Sequence, residues 1–309
     1  YRQRLIYQRA GIELSRSTLS DWIGRCGVEL EPLTNALKQL VLQQQVLHAD
    51  ETPVIIMQMG DDEKKPKKGY VWAYATTQYN PVQAVIYDFQ DSRSGQHAEE
   101  FLKGWQGHLV CDDYSGYKAR FKSGDVIEVG CMAHARRKFH ELHVTGKSQI
   151  AEQALLMIQR LYAIEAELRK KTDGTAEHRR EYRQQYSQPV MQQLYEWLNQ
   201  HQLTVPSSSP TARAINYSLK CWPALSRYLD NGNLPIDNNW LENQMRPWAL
   251  GRKNWLFAGS LRSGQRAANI MTLIQSAKLN GLDPYAYLSD VLKRLPTHKV
   301  TQIEELLPH

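Results

Sequence analysis

The sequence predicts an α/β protein, with helices around a mixed α+β sheet and a long helical segment interrupting the sheet-forming part. Five short runs rich in β-branched and aromatic residues lie between positions 46 and 131. Residues 146–232 contain almost no strand pattern and instead show three apolar stripes at helical spacing. A chain of 309 residues, 42% of them hydrophobic, is long enough for one large domain with an appendage.

The composition narrows the class of protein. A formal net charge of +6 favours an anionic partner. No apolar run approaches the roughly 18 residues that span a bilayer, and no signal peptide opens the chain. We therefore expect no membrane contact and a cytoplasmic location. The first residue is Tyr1, inside a helix-like stretch, so we expect a fragment of a longer protein.

The cysteines do not predict a metal or disulfide site. The four lie at scattered positions without C-x-x-C spacing: Cys26, Cys111, Cys131 and Cys221. Cys131 and His134 stand three residues apart with no second pair, so we expect them to serve in the core or in helix capping. Scattered cysteines without a disulfide pattern are typical of proteins in a reducing compartment.

Residues 1–47 read as helices. Gly11 marks a turn, Ser17 is the expected N-cap of the second helix, and Gly27 its end. This outline fits a helix-turn-helix DNA-binding segment, although any helical hairpin would look the same. In such a motif the start of the second helix meets DNA. The candidate DNA contacts there are Arg16, Ser17 and Thr18.

Residues 48–145 form the first part of the predicted core. The expected order is three strands, a helix over 94–104, a strand, a helix and a strand, which resembles a ribonuclease H-like fold. A charged hairpin tip is expected over 60–69. An all-helical insertion follows over 146–232. Residues 233–282 then form the second part of the core, with Asp237 as the N-cap of a helix, and 283–309 a helical tail.

Three acids stand out within this outline. Asp50 lies in a predicted strand, and alternation places His48 and Thr52 on its face and Glu51 on the other. Asp112 and Asp113 end another strand on opposite faces, so only one of them can serve. Glu242 lies on the helix that follows Asp237. Three carboxylates on separate elements suit Mg²⁺ or Mn²⁺ and phosphodiester chemistry, although strand-end surface acids give the same pattern.

Basic residues accompany these acids. Five cations among tryptophans and phenylalanine follow Glu242, and the 259–264 loop leads into a helix start that can cradle a phosphate. A second basic run follows the last predicted strand. The candidate DNA contacts in these two regions are Arg246, Arg252, Lys253, Arg262, Arg266, Arg136, Arg137 and Lys138.

Five blocks of the sequence resemble, in order, those of bacterial insertion-sequence transposases of the insertion-sequence-sixty-six family, a DDE class. They are HADETPV, YDFQDSRSGQHAEEFLKGWQGHLVCDDYSGYKA, EVGCMAHARRKF, IDNNWLENQMRPWALGRKNWLFAGS and AKLNGLDPYAYLSDVLKRLP. The family's two aspartates and its glutamate fall on Asp50, Asp112 and Glu242. Where many members read Asp-Gly-Tyr, this chain reads Asp112-Asp113-Tyr114. The family's N-terminal coiled coil and cysteine-rich segment have no counterpart here.

The resemblance implies a ribonuclease H-like core, a helical insertion and two Mg²⁺ or Mn²⁺ ions held by the three acids. It also implies cleavage at transposon ends and strand transfer into target DNA by a homo-oligomer. The expected further partners are other proteins of the same element, and the expected location is the nucleoid. Two alternatives stay open. One is a ribonuclease H-like nuclease or resolvase; the other is a DNA-binding regulator that has lost catalysis.

Overall fold

The computed structural model describes residues 2–57, 66–146, 148–170 and 174–309. Its sheet is mixed, as predicted. The strands are β1 (Val46–Ile56), β2 (Lys67–Thr76), β3 (Val85–Gln90), β4 (Gly107–Val110), β5 (Val126–Val129) and the two-residue β6 (Phe257–Ala258). Residues 60–65 of the expected hairpin tip lie outside the described ranges, and Lys67–Gly69 belong to β2.

The strand order is β3-β2-β1-β4-β5. The first three strands in sequence pair antiparallel, with Asp50 opposite Ala73. β4 and β5 extend the other side of β1 in parallel, with His48 beside Val110. β6 pairs in parallel with the far end of β1, at Ile55 and Ile56. β1 is therefore central, and its side chains are flanked on both edges.

Thirteen α-helices lie within the described ranges. Before and between the strands lie α1 (Arg2–Arg9), α2 (Arg16–Glu29), α3 (Glu31–Leu42), α4 (Gly95–Phe101) and α5 (Lys118–Lys122). After β5 come α6 (Met132–Gly146), α7 (Gln149–Lys170), α8 (Ala176–Thr204), α9 (Pro210–Lys220), α10 (Trp222–Ser226), α11 (Asn239–Trp255), α12 (Leu261–Leu279) and α13 (Pro284–Arg294). None of the described helices is long and apolar enough to cross a membrane.

The two faces of the sheet carry different helices because side chains alternate along a strand. Leu47 and Ala49 of β1 pack in a core with α3, α4 and α13. Val54 and Ile56 pack in another core with α11 and α12. A third core joins α6 to α10 with the strand residues Val46, Val110 and Val129. The helical segment thus packs directly against the ends of three strands.

Several predicted boundaries were wrong for local reasons. Ser15, not Ser17, caps α2, because its Oγ accepts the backbone N–H of Thr18 at 3.0 Å. Gly27 lies inside α2, which runs on to Glu29. The helix predicted over 94–104 spans Gly95–Phe101, capped by Ser94. Each difference is a matter of a few residues, as expected where several polar residues compete for a cap.

Candidate active site

Asp50 lies in the middle of β1 on the face that meets α11. Its Oδ1 accepts the backbone N–H of Glu51 at 2.8 Å. Burial raises the pKa of Asp50 to about 8, and the negative charges of Glu51, Asp112 and Glu242 add to the rise. The charges of the other two acids chosen from the sequence therefore act on Asp50, although 62 and then 130 positions separate the three.

Asn238, the N-cap residue of α11, ties that helix to β1. Its Nδ2 donates to the backbone oxygen of Ala49 at 3.0 Å, and its Oδ1 lies 2.7 Å from His48 Nδ1. A carbonyl oxygen only accepts, so the amide orientation is determined and the proton of neutral His48 sits on Nδ1. Burial lowers the pKa of His48 to about 4. This buried bridge brings Glu242, in the first turn of α11, beside Asp50.

Asp237 was predicted to cap α11, and this prediction was wrong by one residue. Asn238 occupies the N-cap position. Asp237 Oδ1 instead accepts the backbone N–H of Asn239 at 3.0 Å, and its Oδ2 accepts the hydroxyl of Tyr162 on α7 at 2.7 Å. The start of α11 is thus held by the helical segment as well as by β1.

Asp112 and Asp113 lie just beyond the end of β4 and have different partners. Asp112 Oδ1 accepts the backbone N–H of Tyr114 at 2.9 Å. Asp113 forms ion pairs with Lys118 at 2.8 Å and Lys220 at 2.6 Å. Burial alone would raise the pKa of Asp113, but hydrogen bonds from the two lysines lower it below its usual value. Only Asp112 acts on the charge of Asp50, which favours Asp112 over Asp113.

Glu242 faces the first turns of α6. Its Oε1 lies 3.8 Å from His134 Nδ1, and its Oε2 lies 3.6 Å from the guanidinium of Arg137. Both distances exceed a hydrogen bond, and Glu242 Oε1 and His134 Nδ1 are buried atoms without a hydrogen-bond partner. Cys131 joins this pair. The ligand atoms of Cys131, His134 and Glu242 all lie within 4.8 Å of one another. Cys131 is buried, as expected for a core residue, and the sequence did not predict that Glu242 lies beside it and His134.

The three carboxylates of Asp50, Asp112 and Glu242 are ligands of the type that a hard divalent cation prefers. In the part of the chain that the structure describes, Asp50, Asp112 and Glu242 do not bring three ligand atoms mutually within 4.8 Å. Among the described residues no cation forms an ion pair with Asp50, whose pKa is raised, and Glu242 Oε1 is a buried acceptor without a hydrogen-bond partner. A divalent cation would satisfy both atoms, so the residues fit the expected group.

Glu51 belongs to a network that sequence reasoning missed. Its side chain is 1% exposed, and one oxygen accepts Arg93 Nε at 2.8 Å. The other oxygen accepts the hydroxyl of Tyr117 at 2.8 Å. The Arg93 guanidinium also lies 3.8 Å from the centre of the Tyr114 ring. The sequence did contain a signal for Glu51, because it is an acid in an otherwise apolar strand, directly after the candidate ligand Asp50.

The predicted DNA contacts on α6 and α11 differ in accessibility. Exposed positions are Arg136, Arg137, Lys138, Arg246 and Lys253. Arg252 is half-buried, because its Nη1 donates to the backbone oxygen of Pro53 at 2.9 Å and to Thr52 Oγ1 at 3.2 Å. Part of the Arg252 guanidinium therefore holds α11 to β1.

The predicted phosphate-cradling loop is shorter than expected. α12 begins at Leu261, so Gly264 lies inside the helix, where an added Cβ would meet the Phe89 ring at 2.4 Å. The backbone N–H groups of Ser260 and Ser263 are taken by each other's hydroxyls. Arg262 is exposed, whereas Arg266 packs on α2 at Gly24 and Gly27. Close packing of α12 on Phe89 explains Gly264, which was predicted from the sequence to lie in a loop.

The predicted N-terminal contacts lie at the start of α2. Arg16 is its first residue, followed by Ser17 and Thr18, whose hydroxyls share Ser15 Oγ at 2.7 and 2.8 Å. α2 packs on α12, where Asn269 Nδ2 donates to the backbone oxygen of Gly27 at 3.1 Å. These hydroxyls are thus occupied within the cap.

Comparison with known proteins identifies the family of this chain. The profile described as "Transposase IS66 family" matches residues 1–266, and that described as "IS66 C-terminal element" matches residues 272–309. Three similar relatives are uncharacterized proteins of Sinorhizobium fredii. They are y4qI (38% identical over all of this chain), y4jD (37% over all of it) and y4hP (34% over 99%).

The chain spans 58%, 62% and 58% of the lengths of y4qI, y4jD and y4hP. The two profiles together extend from its first residue to its last. They include the strands that carry Asp50 and precede Asp112, the helix that carries Glu242, and the helical segment between them. The chain therefore belongs to the IS66 family of transposases.

Proposed function

We propose that this chain is the catalytic part of a DDE transposase. It would cleave DNA at insertion-sequence ends and transfer the freed 3′-hydroxyl into target DNA. The observation that supports the proposal is that the negative charges of Asp112 and Glu242, which come from distant parts of the chain, add to the rise in the pKa of Asp50. A buried cluster of like charges costs free energy, and such costs concentrate at functional sites.

We further propose that the core is ribonuclease H-like. In support, three antiparallel strands are followed by two parallel ones in the order β3-β2-β1-β4-β5. Asp50 on β1 and Asp112 after β4 come from neighbouring strands. Glu242 comes from a helix packed on the same sheet. The helices between residues 149 and 226 would be the insertion that separates the second Asp from the Glu.

In this proposal Asp50, Asp112 and Glu242 hold two Mg²⁺ or Mn²⁺ ions. Bound in pairs, such ions activate the attacking oxygen and relieve the charge on the leaving oxygen of a phosphodiester. The protein's own residues set the geometry. Asn238 fixes α11 on β1, and Asp237 fixes the same helix end on α7. Arg137, 3.6 Å from Glu242, is placed to contact a DNA phosphate at the reacting end.

The proposed partner is double-stranded DNA, both transposon ends and target. Exposed cations of α6 and α11 flank Glu242, and α9 adds Lys220 near Asp113. Phosphate contacts of this kind supply affinity without sequence information. Joining two ends requires a homo-oligomer, and other proteins of the same element would complete the assembly at the nucleoid.

The test is metal-dependent strand cleavage of a DNA bearing the element's ends. We expect Asp50→Asn, Asp112→Asn and Glu242→Gln each to remove cleavage in Mg²⁺ while DNA binding, measured by fluorescence anisotropy, changes little. Loss of carboxylates that act as a unit typically costs several orders of magnitude in rate. Joined end–target products would distinguish a transposase from a nuclease.

Asp113→Asn is the matched control, because Asp113 is already paired with two lysines. We expect it to keep cleavage. Cleavage that survives in Glu242→Gln, or that is lost in Asp113→Asn but not in Asp112→Asn, would contradict the assignment.

A further inference from the structure

A second set of metal ligands lies beside the proposed catalytic centre. Cys131 immediately precedes α6, and His134 lies in its first turn, so the i, i+3 spacing puts both on one side of the helix. Glu242 approaches from α11, and the three ligand atoms are mutually within 4.8 Å. The start of α6 is held to the segment that precedes α11, since the backbone N–H of Met132 donates to the oxygen of Ile236 at 3.1 Å.

The environment of the three atoms suits a bound cation. His134 Nδ1 and Glu242 Oε1 are buried without hydrogen-bond partners, 3.8 Å apart. Cys131 Sγ accepts the backbone N–H of Asn238 at 3.2 Å, and a donor of this kind stabilises a metal-bound thiolate from outside the ligand shell. Arg137 lies on the other carboxylate oxygen, Oε2, and leaves Oε1 free to bind.

The ligand types select the metal. A sulfur and an imidazole nitrogen favour Zn²⁺ and similar ions, whereas Mg²⁺ prefers oxygen alone. Tetrahedral Zn²⁺ with bonds of about 2.0–2.3 Å needs ligand atoms about 3.3–3.8 Å apart, which small side-chain rotations reach from the present spacing. Three protein ligands leave a fourth position for water.

We propose that Cys131, His134 and Glu242 form a Zn²⁺ site, separate from the Mg²⁺ site except for the shared Glu242. Binding would release the thiol proton of Cys131 to solvent. One carboxylate oxygen of Glu242 would then be committed to Zn²⁺. The consequence, which rests on the proposed function, is that Zn²⁺ inhibits Mg²⁺-dependent cleavage by withdrawing Glu242 from the catalytic centre.

The binding test uses Co²⁺ as a spectroscopic substitute for Zn²⁺ and requires no activity. Added to the metal-free protein, Co²⁺ should give one equivalent of a thiolate-to-cobalt charge-transfer band in the near ultraviolet. Zn²⁺ should abolish the band, and Mg²⁺ should not. Cys131→Ser and His134→Ala should each lose it, with circular dichroism showing that both variants fold.

Two control substitutions remove the same residue types. Cys26→Ser removes a partly exposed cysteine of α2, and His140→Ala removes an exposed histidine from the same helix as His134, α6. Both should keep the band. A folded wild-type protein without the band, or a band that persists in Cys131→Ser, would overturn the site.

The inhibition test measures cleavage in Mg²⁺ at increasing Zn²⁺, each variant against its own rate without Zn²⁺. We expect the Zn²⁺ concentration that halves cleavage to rise at least tenfold in Cys131→Ser and to stay unchanged in Cys26→Ser. Equal inhibition of wild type and Cys131→Ser would overturn the regulatory role. If the protein cleaves no DNA at all, the proposed function fails, while the cobalt spectrum still decides the site.

Discussion

At the residue scale, the central fact is that Asp50 is poorly placed to carry a charge. Burial and three neighbouring carboxylates raise its pKa to about 8. No cation within the described residues compensates it, whereas Glu51 has Arg93 and Asp113 has two lysines. Ion pairs thus hold the neighbouring acids Glu51 and Asp113, whereas Asp50 accepts one backbone hydrogen bond, from the N–H of Glu51.

The raised pKa predicts a pH-dependent stability of the metal-free protein. A carboxyl with a folded-state pKa of about 8 and an ordinary unfolded-state pKa contributes stability that is complete below about pH 4 and is lost as the pH rises to about 8. The slope is at most about 1.4 kcal/mol per pH unit. We expect Asp50→Asn to lessen the fall in the free energy of unfolding between about pH 6 and about pH 8.

Urea unfolding in the presence of EDTA measures this difference. Added Mg²⁺ should stabilise the wild type more at about pH 8 than at about pH 6. At the higher pH a smaller fraction of Asp50 is protonated, so fewer protons have to be displaced by the metal. It should stabilise Asp50→Asn little at either pH. An identical pH dependence for wild type and Asp50→Asn would show that Asp50 ionises normally.

The choice between Asp112 and Asp113 shows what residue-level reasoning can reach. Alternation predicts that adjacent acids point to opposite sides, but it does not say which one faces Asp50. Lys118 lies five residues from Asp113, whereas Lys220 is 107 residues away on α9. A long-range partner of that kind is invisible in a single sequence.

At the element scale, the fully buried Arg183 is one of the residues that join α8 to the rest of the molecule. Arg183 is 0% exposed and forms two hydrogen bonds with Glu165 of α7, at 2.7 and 2.9 Å. It also donates to the backbone oxygens of Tyr228 and Leu234 and to the hydroxyl of Tyr79. The contact with Tyr79, which follows β2, links the helical segment to the sheet.

Removing Arg183 would leave the carboxylate of Glu165 buried and unpaired. We expect Arg183→Ala to lower the free energy of unfolding by about 3–5 kcal/mol. Arg180→Ala is the control, since Arg180 pairs with Glu177 on the exposed side of the same helix. It should change stability little. Equal effects of the two substitutions in urea unfolding would contradict the structural role of Arg183.

Two glycines of α2, Gly24 and Gly27, differ in how closely they pack against α12. At Gly27 an added Cβ would meet Arg266 Cβ at 2.7 Å and its backbone oxygen at 2.8 Å, so α2 and α12 would have to move apart. At Gly24 the nearest atom is the flexible end of the same side chain, Arg266 Nη1 at 2.9 Å.

Alanine favours a helix over glycine at both positions by about 1 kcal/mol, so packing decides the sign of each effect. We expect Gly24→Ala to be neutral or stabilising and Gly27→Ala to be destabilising by about 1–3 kcal/mol. Thermal unfolding of the two variants measures this. A stabilising Gly27→Ala would mean that α2 does not pack on α12 in this way.

Helix α12 covers the edge of the sheet that is formed by β3. Thr272 Oγ1 accepts the backbone N–H of Tyr87 at 2.9 Å, and Ser276 Oγ accepts that of Val85 at 3.1 Å. Hydroxyls of α12 thus satisfy donors of the edge strand β3, which an unpaired edge would expose to other chains. The sequence predicted a helix here but not its partner strand, because the contact spans 185 and 191 positions.

At the scale of the whole molecule, charge governs the proposed DNA binding. The formal net charge is +6, with exposed cations on both helices that flank Glu242. Neutralised phosphates release counterions, so the affinity should fall steeply with salt. The arginines that contact phosphate and those that hold the fold together should then be separable by experiment.

We expect Arg246→Ala and Lys253→Ala each to reduce the slope of log affinity against log salt by about 0.9. Arg252→Ala should mainly lower stability, because Arg252 binds the backbone of β1. Anisotropy titrations at several salt concentrations, paired with thermal unfolding, distinguish the two effects. An unchanged slope in both Arg246→Ala and Lys253→Ala would place the DNA elsewhere.

The sequence by itself determined the local features of this protein. Alternating β-branched runs predicted the strands, and apolar stripes predicted the helices. Asp50 and Asp112 drew attention as acids in apolar strands, and Glu242 drew attention because basic and aromatic residues follow it. These features depend on neighbours a few residues apart, which periodicity and composition record. The N-cap residues of α2 and α11 were mispredicted by one or two positions, because several neighbouring serines or other polar residues could each cap the helix.

Only the tertiary structure decided how distant residues meet. It placed Asn238 against β1, gave Asp113 to two lysines, turned Arg252 and Arg266 toward the protein, and brought Cys131 and His134 to Glu242. Each of these contacts depends on which strand faces which helix. That choice arises from burying three cores together, a property of the whole chain that no short segment encodes.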